Sequence, residues 1–199
     1  MRTHMIPRKP AKLDWTQIPA LQIDHQLWLP DAGITAQAQI CYDEESLYVR
    51  MSAKEAHIRA ENTSLTDQPC LDSCLEFFFC PNPEDLRYFN IEFNPNCCLY
   101  LGIGDGKGNL VRLMVSAKKM LNAQAARTED GWEITYQVPI SFICLFFPEF
   151  VATPGKSIKA NFYKCGELTV QNHYLAWNNI TCDTPAFHRP CDFGLMTFA

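Results

Sequence analysis

Long apolar runs are missing from this sequence. Nothing in it approaches the roughly 18–20 apolar residues of a membrane-spanning helix, so a membrane partner is set aside. No apolar stretch follows Met1, where the chain reads Met1-Arg2-Thr3-His4-Met5-Ile6-Pro7-Arg8-Lys9-Pro10. No secretory leader is read there, and a reducing, cytoplasmic compartment is expected. Concentrated positive charge is missing as well. The formal net charge is −5, and basic residues adjoin only at Arg8-Lys9 and Lys118-Lys119, which excludes a footprint for nucleic acid. The paired C-x2-C spacing of tetrahedral thiolate sites is absent, since Cys70-x3-Cys74 and Cys97-Cys98 do not fit it. The run Gly102-Ile103-Gly104-Asp105-Gly106-Lys107-Gly108 alternates strictly and leads into a strand pattern. It therefore lacks the spacing and the following helix of a phosphate loop, and it reads as a hairpin tip. Helical periodicity, internal repeats and low-complexity tracts are nearly or wholly lacking.

What is present suits one β domain of 199 residues with no linker inside it. The apolar share is 47%, enough for a core, and thirteen Phe suit sheet faces packed on each other. Ten Cys stand mostly where Val, Ala or Gly would serve, so free thiols acting as small hydrophobes are expected.

Residues 1–14 read as an N-terminal arm, and residues 15–199 as a single sandwich domain. Ile34–Ile40 and Leu47–Ala53 alternate with period two around the turn Asp43-Glu44-Glu45-Ser46, which predicts a hairpin. Ser73–Cys80 places Leu75, Phe77 and Phe79 on one face and Cys74, Glu76 and Phe78 on the other. Arg87–Asn94 repeats the pattern, with Phe89, Ile91 and Phe93 opposite Tyr88, Asn90 and Glu92. Two such neighbours joined by a short turn would gather Glu76, Asn90 and Glu92 on one sheet face. Further strand patterns at Leu99–Ile103, Leu110–Val115, Trp132–Val138, Ser157–Cys165 and Phe193–Phe198 bring the count to about nine or ten strands. That predicts an all-β antiparallel sandwich of immunoglobulin-like or jelly-roll style.

Glu76 and Glu92 admit two readings. Paired carboxylates can act as acid and base or nucleophile on a glycoside. They can equally accept hydrogen bonds from vicinal sugar hydroxyls, or balance Arg50. Five scattered His give no local signature for a Cys nucleophile. Trp177, in His173-Tyr174-Leu175-Ala176-Trp177-Asn178-Asn179, either stacks on a sugar ring or anchors the core edge.

Five pieces in order carry a resemblance. They are Leu47-Tyr48-Val49-Arg50, Asp72–Phe78, Tyr88–Asn94, Trp177, and Phe187-His188-Arg189-Pro190 with Asp192-Phe193-Gly194. Together they resemble the family 9 carbohydrate-binding modules within the DOMON-like sandwiches, in their stand-alone bacterial branch. The resemblance implies a glycan end held between two Trp rings, with Glu76 as the intervening Glu and Trp177 as the second Trp. Cys70 stands where the first Trp should be. The implied ligand-binding set is Glu76, Trp177, Asn90, Glu92, Tyr88, Arg50, His188 and Arg189. No cofactor is required; structural calcium occurs in some members. The expected function is non-catalytic carbohydrate binding. The alternatives are a hydrolase using Glu76 and Glu92, or a haem or hydrophobic-ligand binder, for which Met51, His57 and His173 are the available axial ligands.

Overall fold

The computed structural model describes residues 1–199. Fourteen strands follow in order: β1 (Thr3–Ile6), β2 (Ala20–Ile23), β3 (His25–Gln26), β4 (Thr35–Tyr42), β5 (Ser46–Lys54), β6 (Cys74–Cys80), β7 (Tyr88–Phe93), β8 (Leu99–Gly104), β9 (Val111–Arg112), β10 (Gln124–Arg127), β11 (Gly131–Pro139), β12 (Ser157–Gly166), β13 (His173–Ala176) and β14 (Gly194–Phe198). Two short helices, α1 (Ala117–Leu121) and α2 (Ile140–Cys144), lie on either side of β11 in sequence. The strands form two sheets. The five-stranded sheet runs β10-β11-β5-β4-β2, and the nine-stranded sheet runs β1-β14-β12-β6-β7-β8-β9. β12 carries β14 on its first half and β13 on its second, and β3 extends β13. The predicted antiparallel sandwich is observed, apart from the parallel pairing of β1 with β14.

The period-two pattern explains why the sheets face each other as they do. Phe77, Phe79, Phe89, Ile91, Phe93 and Phe162 project inward with the apolar faces of β4, β5 and β11, forming a core of 37 buried residues. Phe77 stacks on Phe79 at 4.9 Å and on Phe162 at 4.5 Å. Each such side chain contributes on the order of 1.5–3 kcal/mol by leaving water.

The outer face of the nine-stranded sheet is not bare. Residues 177–193 fold back over it, and Phe187 and Phe193 pack with Phe78, Tyr88 and Tyr163 in a second cluster of 11 buried residues. Phe187 lies flat on Tyr163 at 4.1 Å, and Tyr163 donates its hydroxyl to the Phe187 carbonyl at 3.2 Å. The cover stops beside His188, and the sheet beyond it is open.

The N-terminal residues, read from the sequence as an arm, lie against the sandwich. Thr3–Ile6 form β1, Ile6 is fully buried, and the Lys9 N–H donates to the Tyr42 carbonyl at 2.7 Å. The reason is an edge: β14 offers unpaired backbone groups that β1 satisfies.

The polar connection after β5 is held by Asp72. Its carboxylate, fully buried, accepts from the Arg59 guanidinium, the Asn94 amide and the backbone N–H groups of Glu61 and Asn62. These bonds hold its acid pKa below the ordinary value despite burial. They fix the stretch that brings Gln68, Cys70 and Leu71 to the open part of the outer face.

Candidate functional site

Where the cover ends, the outer face of the nine-stranded sheet forms the floor of a groove of about 440 Å³. That volume lies within the usual range for small-molecule sites. Strand register builds the floor. Glu76 on β6 is the direct partner of Glu92 on β7, which in turn is the partner of Tyr100 on β8. One row along, Cys74 on β6 is the partner of Cys165 on β12. The walls come from strands and loops together. Trp28, Tyr174 and Phe187 stand together on one side, Trp28 being 5.5 Å from Tyr174 and 5.7 Å from Phe187 by ring centroids. Tyr100 stands at the other side with the Arg112 guanidinium 4.5 Å from its ring, a cation–π contact. Gln68, Lys107 and Glu167 add polar groups to the lining.

The floor is acidic and lacks a cation of its own. Glu76 and Glu92 are 2% and 6% exposed, so water reaches them only through the groove. Burial and the neighbouring Glu92 charge push the Glu76 carboxyl well above the ordinary range. Burial raises Glu92 to about 7, against a hydrogen bond from Asn90 that favours its charged form. That bond, from the Asn90 amide nitrogen to Glu92 Oε1, is 2.9 Å. Glu92 Oε2 and Asn90 Oδ1 have no protein partner although both are buried. Buried polar atoms are normally satisfied, and Glu92 lines the groove, so its free oxygen awaits a donor from there, while Asn90 Oδ1 lies beneath the lining. A protonated carboxyl next to an ionised one can also both donate and accept.

The remaining sequence-expected residues separate into two groups. His188 lines the groove, and its Nδ1 meets the Tyr88 hydroxyl at 2.8 Å. Tyr88 and Asn90 are fully buried under the lining and support it rather than front it. Three residues lie elsewhere. Trp177 is 4% exposed in the core between the sheets, where its ring covers Gly194. The cause is alternation along β13: Leu175 and Trp177 take inward parity, and Tyr174 takes the groove side. Arg50 lies on β5 of the opposite sheet and pairs with Glu133 Oε2 at 2.5 Å, not with Glu76. Arg189 pairs with Asp192 at 2.6 Å and braces the cover segment outside the groove. Cys70 does line the groove. The candidate haem ligands are not gathered: Met51 is buried in the main core, and His173 binds the Lys164 ammonium at 2.7 Å.

Sequence reasoning missed Trp28, Tyr100 and Tyr174. Tyr174 and Tyr100 carry a signal, their strand parity; Trp28 carries none. It reaches the groove through a left-handed backbone conformation, φ 56°, which few non-Gly residues adopt. Its indole N–H donates to the Cys182 carbonyl at 2.7 Å, which fixes the ring.

The model of carbohydrate-binding family 9 matches residues 7–198. No curated protein matches the sequence. A Bacteroides uniformis protein provisionally called carbohydrate-binding is 24% identical, with a TM-score of 0.84 over 100% of this chain and 99% of that one. A family 9 carbohydrate-binding module from Caldicellulosiruptor kristjanssonii, solved with cellotriose, has a TM-score of 0.71 at 11% identity over 99% of this chain and 93% of its own. A family 9 module from Caldicellulosiruptor kristjanssonii solved with glucose has a TM-score of 0.72 at 11% identity over 100% of this chain and 96% of its own.

Proposed function

The chain belongs to carbohydrate-binding family 9, and from that premise we propose that the groove over Glu76 and Glu92 binds a neutral sugar without cleaving it. The observation that carries the placement is the register pair Glu76–Glu92, with Glu92 Oε2 unpartnered at the floor between aromatic walls. Vicinal hydroxyls of a pyranose present donors at a spacing that adjacent carboxyls can accept. Trp28 and Tyr174 on one side and Tyr100 on the other supply surfaces for the apolar faces of the ring. They take the place expected of Trp177. The roles of His188 and Lys107 in this reading are at the rim, as donors to outer hydroxyls.

Cleavage is the second reading of the same carboxyl pair. Membership of a carbohydrate-binding family favours binding over it. The relatives solved with glucose and cellotriose supply the ligands to test. Titration calorimetry should detect binding of at least one of glucose, cellobiose and cellotriose. Glu92→Gln should weaken it by about ten- to a hundredfold, the loss of one charge-assisted hydrogen bond. Binding that is unchanged in both Glu92→Gln and Tyr174→Ala would refute this placement.

A further inference from the structure

Cys74, Glu76 and Cys165 converge on one spot of the groove floor. One ligand atom from each lies within 4.8 Å of the others, and all three residues are buried. Cys74 and Cys165 are cross-strand partners, and the Cys165 thiol donates to Glu76 Oε1 at 3.0 Å. All ten cysteines of the chain are free thiols, so this pair is available. The geometry points to a binding site for a thiophilic divalent cation, zinc being the best match, held by Cys74 Sγ, Cys165 Sγ and a Glu76 carboxylate oxygen. The inference does not rest on the carbohydrate reading, although the two share Glu76.

Three observations support it. The first is distance. A tetrahedral zinc with Zn–S near 2.3 Å and Zn–O near 2.0 Å has ligand–ligand edges of roughly 3.5–3.8 Å. The observed spread, up to 4.8 Å, closes to that by small side-chain rotations.

The second is charge. Three acidic groups share a buried patch with no cation among them. Lys164 is next to Cys165 in sequence but points into the core, where its ammonium meets Glu55. Arg112 is held at the far wall by the Thr66 and Asp67 carbonyls. The patch therefore stays neutral by keeping its protons, or it exchanges them for a metal, releasing them to solvent.

The third is access. Glu76 and Cys165 line the groove, so an ion has an entry path. Three protein ligands leave a fourth position facing the groove, near Cys70 and the unpartnered Glu92 Oε2. Two thiolates exclude calcium as the preferred occupant, since it takes oxygen ligands only.

The test is an anaerobic titration of the reduced, metal-free full chain with Co²⁺. One equivalent should give a thiolate-to-cobalt charge-transfer band with intense tetrahedral d–d bands, and Zn²⁺ should displace it. Cys74→Ala and Cys165→Ala should each remove most of the band, while Cys191→Ala, outside the site, should keep it. Glu76→Gln should keep the charge-transfer band and weaken affinity by about tenfold or more, as removal of even an outer partner does. A readout that needs no variant is proton release: binding of one Zn²⁺ at two thiols should free about two protons into weakly buffered solution. No band in the wild-type chain would overturn the proposal. So would a band that survives both Ala substitutions. Sugar titrations on the metal-free chain are a separate readout, so the failure of one reading is not the failure of the other.

Discussion

The buried ion pair between the sheets offers a sharp test of how this sandwich is held together. Lys164 is fully buried at inward parity on β12. Its ammonium meets Glu55 Oε1 at 3.2 Å, His173 Nε2 at 2.7 Å and its neighbour's carbonyl, on Cys165, at 2.9 Å. Glu55, just past β5 of the other sheet, also accepts from the Trp132 indole at 2.6 Å and from the Ser73 hydroxyl at 2.9 Å. Every donor and acceptor is used, so the pair resists removal of either half alone. Glu55→Gln leaves the Lys164 charge buried without a counter-charge and should cost about 3–5 kcal/mol. Lys164→Met leaves a carboxylate that keeps two donors, and should cost less, about 1–3 kcal/mol. The double substitution should cost less than the sum, since it removes the charge left stranded by either change. Urea unfolding of the four proteins measures these differences. In heat, about 2–4 °C per kcal/mol for a chain of this size puts Glu55→Gln about 10 °C below wild type. A Glu55→Gln cost under about 1 kcal/mol, or strict additivity, would refute the argument that this network ties the two sheets.

Two further predictions concern the cover segment and the core beneath it. Burial, helped by the nearby Lys107 charge, holds His188 down to about 4, below its ordinary 6.5. Its neutral ring thus stabilises the fold fully above about pH 6.5. That contribution, on the order of 1–3 kcal/mol, is lost as pH falls from there towards about 4. Urea midpoints across this range should fall more steeply for wild type than for His188→Phe; parallel curves would contradict it. Gly194→Ala would put a methyl carbon 2.4 Å from Trp177 Cζ3 and 2.9 Å from the Arg2 carbonyl. It should cost about 1–3 kcal/mol by overpacking, partly relieved by Trp177→Phe. A neutral Gly194→Ala would mean that Trp177 does not cover that strand.

The parts of the fold governed by local periodicity were legible in the sequence. Leu75, Phe77 and Phe79 against Cys74, Glu76 and Phe78 is a pattern that only one strand orientation satisfies. The short turn to β7 then sets Glu92 beside Glu76. What depends on distant pairing was not legible. Nothing local says that Cys165 will lie across from Cys74, or that Lys164 will meet Glu55. Parity would have put Tyr174, not Trp177, towards the groove, because residues three apart on a strand face opposite ways. Arg50 has the right charge for Glu76 but sits on the other sheet, with Glu133 as its register-adjacent neighbour. Residues 1–14 carry too few alternating positions to announce a strand whose partner lies near residue 195.

That last pairing also constrains how the chain folds. Thr3 is the register partner of Leu195 and Ile6 of Phe198, so the strand made first is the last to find its place. Closing so long a loop is entropically costly and slow compared with forming the β4–β5 or β6–β7 hairpins. Until β1 arrives, β14 exposes an apolar, unpaired edge, the kind of surface on which chains associate. The window between hairpin formation and closure of that edge is therefore when the molecule is most open to aggregation. Its duration, read from concentration-dependent loss of refolding yield, is set by a four-residue strand at the far end of the sequence.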